Sequence, residues 1–184
     1  MIIKKHLIFS LLLFVLGVCS GKGQKGSNQV TLIAESTVPI YQNDQGLGGF
    51  IKASYGIGKS AQLTFTAGYS KFHSKNSVEI QKTTTRLIPF LAGYKQNINK
   101  FYVEPQIGFG ELGGKISDHG DFANPSVGAL FWALGAGYNI KQFVIGVRFQ
   151  NAHAIEGSAA GLWHNLNFHY TAIHVGYTIL QRNN

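Results

Sequence analysis

Residues 129–150, ALFWALGAGYNIKQFVIGVRFQ, leave few folds open to this chain. Leu130, Trp132, Leu134, Ala136 and Tyr138 alternate with Ala129, Phe131, Ala133, Gly135 and Gly137. After a tight turn at Asn139-Ile140-Lys141-Gln142, Phe143, Ile145, Val147 and Phe149 alternate with Val144, Gly146, Arg148 and Gln150. Such period-2 alternation marks strands whose two faces meet different surroundings. The bulky apolar residues share one face; the other carries mostly small residues with Arg148 and Gln150. A soluble sheet would bury the bulky face and show water a charged one, and no charged face is present. Lipid on one side and a lumen on the other satisfies both faces.

The rest of the chain repeats the pattern. Strands are expected over residues 29–36, ending before Pro39, and over 47–55, with Ile51, Ala53 and Tyr55 opposite Phe50, Lys52 and Ser54. A turn at 56–59 leads to a third strand, 61–72, where Leu63, Phe65, Ala67 and Tyr69 oppose Gln62, Thr64, Thr66, Gly68 and Ser70. A polar tip, 73–77, precedes a fourth strand over 78–94, a turn at 96–99 and a fifth strand over 101–111. After a loop over 113–126, the hairpin described above supplies strands six and seven. A second loop, 152–164, precedes the last strand, 165–180. Eight strands result, with short connections after the second, fourth and sixth, longer ones after the first, fifth and seventh, and a tip of moderate length after the third. The fold class is therefore all-β: an eight-stranded antiparallel up-and-down transmembrane β-barrel. A soluble lipocalin-like barrel also has eight strands but needs a charged exterior. Only 13% of this chain is charged, against roughly 25% in ordinary soluble domains.

Lys4 and Lys5, an apolar run over 7–18 and the small residues Ser20, Gly21 and Gly23 read as a secretory signal peptide. The run is too short for a spanning helix, which needs about 20 residues. Residues 1–23 are expected to be removed, leaving a barrel domain over 24–184. Val18 stands where a lipoprotein signal wants a small residue, which argues against lipidation of Cys19, the single cysteine. Losing Lys4, Lys5 and Lys22 lowers the formal net charge from +8 by three, to +5. In an exported chain with lysines scattered through turns, this balance points to solvated loop ends and anionic lipid rather than to nucleic acid.

Tyr55, Tyr94, Phe101, Tyr138, Phe143 and Tyr177 flank the short turns and are expected to form a periplasmic aromatic girdle. The polar residues assigned to the lumen are Glu35, Lys52, Glu104, Arg148 and His174. In a barrel just wide enough to be filled by side chains, these should pair with one another; a proton or ligand site at Glu104 and His174 is the functional alternative. Pro89 and Pro105 each lack a ladder donor. With Tyr94 facing Phe101, Pro89 would lie beside Gln106 and Pro105 beside Phe90. A shared bulge there would turn Arg86 inward and Phe90, Ala92 and Tyr94 toward lipid.

With these motifs in hand, the chain resembles the small eight-stranded outer-membrane barrels of the OmpX/OmpA-like superfamily. IPFLAGYKQNINKFYVEPQIGFG, residues 88–110, is similar to a hairpin of a Bacteroidetes outer-membrane β-barrel domain family. AIHVGYTI, residues 172–179, resembles the closing strand that the barrel-assembly machinery recognises, although the chain continues to Asn184. The resemblance implies a Gram-negative outer-membrane location, contact with outer-membrane lipids and lipopolysaccharide, and no activity or cofactor. GVRFQNAHA, residues 146–154, resembles a strand of lipid A deacylase barrels that ends in His-x-Ser-Asn. Asn151 and His153 stand where the base and the nucleophile would be, so that chemistry is rejected; Ser158 and His164 lack the spacing. Asp118, His119 and Asp121 are a weak metal signal, and no metal site is assigned. Phe122, Trp163 and His164 are loop residues suited to a glycolipid or to a surface partner whose identity the sequence does not give. The expected role is non-enzymatic, structural or adhesive through the loops, with an outer-leaflet lipid enzyme or small-ligand barrel as the alternative.

Overall fold

A computed structural model of the chain describes residues 28–39, 45–57, 60–73, 82–118, 121–123, 126–155 and 167–182. The expected signal peptide, Ser158, Trp163 and His164 lie outside them. The strands are β1 (Asn28–Pro39), β2 (Gln45–Gly56), β3 (Ala61–His73), β4 (Lys82–Ile98), β5 (Phe101–Asp118), β6 (Asp121–Ala123), β7 (Ser126–Ile140), β8 (Phe143–Ala154) and β9 (Asn167–Arg182). All pairings are antiparallel. Each strand pairs with its neighbours in the chain, apart from the short β6, which flanks β5 alone while β5 pairs onward with β7. The pairing of β1 with β9 closes the sheet on itself, giving an eight-stranded up-and-down barrel. Closure pairs each of the eight barrel strands on both sides, while the three-residue β6 pairs on one.

Three tight connections, at 57–60, 99–100 and 141–142, share one end of the barrel with both strand termini, Asn28 and Arg182. The four longer connections share the other end. Two turns are tighter than expected. β4 runs on to Ile98 and turns at 99–100, and β7 runs on to Ile140 and turns at 141–142. Asn99 (φ 59°) and Lys141 (φ 53°) supply the left-handed backbone that a two-residue hairpin needs. β5 extends seven residues beyond the expected 111 by pairing with β4 and then with β6.

The bulge expected at the two prolines is absent. The β4–β5 register holds from Lys82↔Ser117 to Ile98↔Phe101, and Pro89 lies opposite Gly110 rather than Gln106. Successive N–H groups in an antiparallel strand point to opposite neighbours, so each proline costs one ladder one donor. The β3–β4 pairing skips the positions around Pro89, and the β4–β5 pairing those around Pro105; both resume in the same register. The alternation is therefore never reset, and Arg86 stays on the outer face instead of turning inward. A register shift occurs elsewhere, in the seam between β1 and β9, where Val30 pairs with Leu180 and Thr31 with Thr178. Ile179 is the extra residue, and it and Leu180 are both exposed.

Burial is inverted relative to a soluble protein. Phe109 (69%), Ile107 (60%), Leu134 (52%) and Trp132 (43%) are exposed, whereas Glu104 (2%), Glu35 (4%) and Arg148 (4%) are buried. The interior toward the long-connection end is apolar, filled by Phe72, Leu87, Leu91, Leu112, Phe131 and Phe168. Phe72 packs edge-on against Phe168, with ring centroids 4.8 Å apart.

Candidate functional site in the barrel interior

Below the apolar plug, the inward positions of six strands converge. Inward alternation places Glu35 on β1, Lys52 on β2, Thr66 on β3, Glu104 and Gln106 on β5, Arg148 on β8 and His174 on β9. Glu35 and His174 are direct cross-strand partners. Lys52 Nζ donates to Glu104 Oε2 at 2.6 Å, and Arg148 donates to Glu35 Oε2 at 2.7 Å. Gln106 Nε2 donates both to the other Glu104 oxygen and to the Thr66 hydroxyl, at 3.0 Å each. The Arg148 guanidinium also stacks over Phe50, 4.4 Å from the ring centroid. Two positive and two negative groups thus neutralise one another out of water. That is the condition under which buried charge is tolerated.

Two further groups belong to this network: Tyr102, on an inward position of the expected fifth strand but given no role there, and Lys95, which had no expected place inside. The Tyr102 hydroxyl shares a hydrogen bond with His174 Nε2 at 2.8 Å, and Lys95 Nζ lies 4.3 Å from the Tyr102 ring centroid. Lys95 also donates to Asn139 Oδ1 at 3.1 Å. The expected fourth strand stops at 94 and the expected turn starts at 96, so Lys95 falls between them, whereas β4 carries it on an inward position. Gly137 and Gly146 leave room for Tyr102. A Cβ on either would come within 2.7 Å of its hydroxyl, and one on Gly146 within 2.8 Å of the His174 ring.

Arg86 does not join the network. It bonds Glu111 on the outer face at 2.9 Å, with both side chains about two-fifths exposed (39% and 40%). Glu104 is bonded by Lys52 and Gln106, and His174 by Tyr102. Asn151 and His153 face outward and bond His169 and Asn167, at 2.6 and 2.5 Å. Asp118 and Asp121 are backbone partners across β5 and β6, and His119 lies outside the described residues. Among the described residues, no three His, Cys, Asp or Glu side chains are grouped to hold a metal ion.

The six turn-flanking aromatics all lie on outward strand positions toward the tight-turn end. Phe101 meets Tyr138 at 4.9 Å and Phe143 meets Tyr177 at 5.1 Å between ring centroids. The Tyr94 and Tyr177 hydroxyls donate to Gln96 and Gln142 at 2.7 and 2.8 Å. Rings against an apolar wall with hydroxyls on polar partners is the arrangement suited to an apolar–aqueous boundary.

No family model and no curated protein matches the chain. Solved structures do. Ail, the attachment invasion locus protein of Yersinia pestis, superposes with a TM-score of 0.61 at 15% identity, over 85% of this chain and 100% of that one. The N-terminal β-barrel domain of Pseudomonas aeruginosa OprF gives 0.58 at 11% identity, over 84% and 100%. Neisserial surface protein A gives 0.57 at 10% identity, over 83% and 96%. The fold is that of the small eight-stranded outer-membrane β-barrels. At these identities the likeness speaks for fold alone. The narrower likeness to Bacteroidetes barrels expected from residues 88–110 is not confirmed by these comparisons.

Proposed function

We propose that this chain is a non-enzymatic integral outer-membrane barrel, exported by its N-terminal signal and working through the connections at its long-loop end. The observation that carries this reading is the inverted burial of a closed sheet: an apolar exterior around a plugged interior whose carboxylates are each paired with a base. Such a surface is stable only in a lipid phase. The short turns and the aromatic girdle then lie on the periplasmic side, with the long connections outside. The outer wall contacts outer-membrane lipids, including lipopolysaccharide, and the closing strand β9 meets the barrel-assembly machinery during biogenesis. The paired interior argues against a conducting pore, and the lack of a serine beside Asn151 and His153 argues against deacylation. An attachment role for the loops has a precedent of fold in Ail, whose name states attachment.

The test is gel mobility of the outer-membrane fraction, unboiled against boiled. A mobility shift on boiling is expected. A protein that runs identically in both and is recovered from the soluble periplasm would overturn the reading. An altered lipid A acylation pattern in a deletion strain would favour the enzymatic alternative.

A further inference from the structure

The outer wall of β3, β4 and β5 carries a feature that neither the interior nor a uniform lipid coat explains. Lys71 and Arg86 are direct cross-strand partners on that wall, toward the long-connection end. Like charges placed directly opposite one another are destabilising. Glu111 compensates Arg86 alone, so the three side chains together keep one net positive charge.

Further down the same strands, about 13 Å at roughly 3.3 Å per residue, an apolar groove of about 390 Å³ is cut into the wall. Ala53, Ala67 and Ala92 lie along it, beside the rings of Phe65, Phe90 and Phe109. Outward alanines between outward phenylalanines create the depression, with Phe90 and Phe109 6.4 Å apart at its side. Between the groove and the cations, β3 carries the exposed Tyr69, and its partner on β2 is Gly49, beside which space is open: an added Cβ there would meet nothing within 4 Å.

We propose that this wall is a docking surface for one molecule of the phosphorylated, acylated glycolipid of the outer leaflet, lipopolysaccharide. A phosphate sits between Lys71 and Arg86, and one acyl chain lies in the groove below. The charge pair calls for an anion, and charge-assisted hydrogen bonds to phosphate are among the stronger polar contacts. The groove calls for a chain. Groove and cations lie one below the other on the same strands, so one molecule can meet both, and the long-connection end selects the outer leaflet. This inference rests on the outer-membrane placement proposed above.

The full chain, heat-modifiable in detergent micelles, is titrated with diphosphoryl lipid A, its dephosphorylated form and phosphatidylglycerol, and binding is read by native mass spectrometry. Diphosphoryl lipid A is expected to bind most tightly. Lys71→Gln with Arg86→Gln should weaken it by about tenfold or more, the equivalent of losing a charge-assisted contact. Ala67→Phe, which fills the groove and changes no charge, should also weaken it. Lys100→Gln, at the opposite end, should leave it unchanged. Equal binding of the dephosphorylated form, or an equal loss from Lys100→Gln, overturns the inference. Equal binding of phosphatidylglycerol overturns the assignment to a glycolipid. Each of these failures in a heat-modifiable barrel leaves the outer-membrane reading standing, whereas loss of heat modifiability removes both.

Discussion

Glu104 shows how a single buried carboxylate is held. It accepts from Lys52 at 2.6 Å and from Gln106 at 3.0 Å, and it is 2% exposed. Removing its charge strands Lys52 in the interior. Glu104→Leu is therefore expected to destabilise the barrel by about 3–5 kcal/mol, the cost of a buried charge without its partner. Lys52→Met in the same chain should recover most of that loss, because two well-packed apolar groups replace an ion pair at little net cost. Urea unfolding from lipid vesicles, run as a double-mutant cycle, measures both. A double variant whose loss equals the sum of the two single losses would show that Lys52 and Glu104 are not energetically coupled. At this scale Glu35, Lys52, Glu104, Arg148 and His174 stand on inward positions that strand periodicity alone indicates, whereas Arg86 stands outside. Tyr102 had no expected role and Lys95 no expected place in the interior, because their roles depend on partners from strands distant in the chain.

At the level of the strand and its turn, β7 and β8 depend on a hairpin whose first loop residue, Lys141, has φ 53°. A left-handed backbone at a residue other than Gly or Asn costs about 1–2 kcal/mol. Asn99 occupies the corresponding place between β4 and β5 at φ 59° and suits it better. Lys141→Asn should accordingly raise stability by roughly 1 kcal/mol, seen as a higher urea midpoint with an unchanged slope. An unchanged midpoint would mean that the turn is not strained. The prolines carry the opposite lesson. Pro89 and Pro105 suggest a bulge only if a proline breaks the sheet, whereas each removes one donor from one of its two ladders. The real irregularity, at Ile179, has no proline or glycine to mark it and arises where the first and last strands must meet.

The whole molecule is organised by depth. An outer wall that faces hydrocarbon at mid-height and headgroups at its rims should charge differently for the same substitution at different heights. Leu134→Arg, near the middle of β7, is expected to cost about 2–4 kcal/mol in vesicles, and Leu47→Arg, near the long-connection rim of β2, about 0–1 kcal/mol. Comparable costs at the two sites would mean that the wall is not in a bilayer. What the sequence determined by itself was local: strand periodicity, the sorting of bulky from small residues, the even strand count and the alternation of short and long connections. These follow from a side-chain repeat of two, which needs no knowledge of neighbours. Tertiary structure decided what depends on register between strands. It set which acid meets which base, kept Arg86 outside with Glu111, sealed the upper interior with Phe72, Leu112 and Phe131, and brought Lys71 opposite Arg86 above a groove. Register is a relation between chain segments fixed by closure of the whole sheet, and no single stretch of sequence contains it.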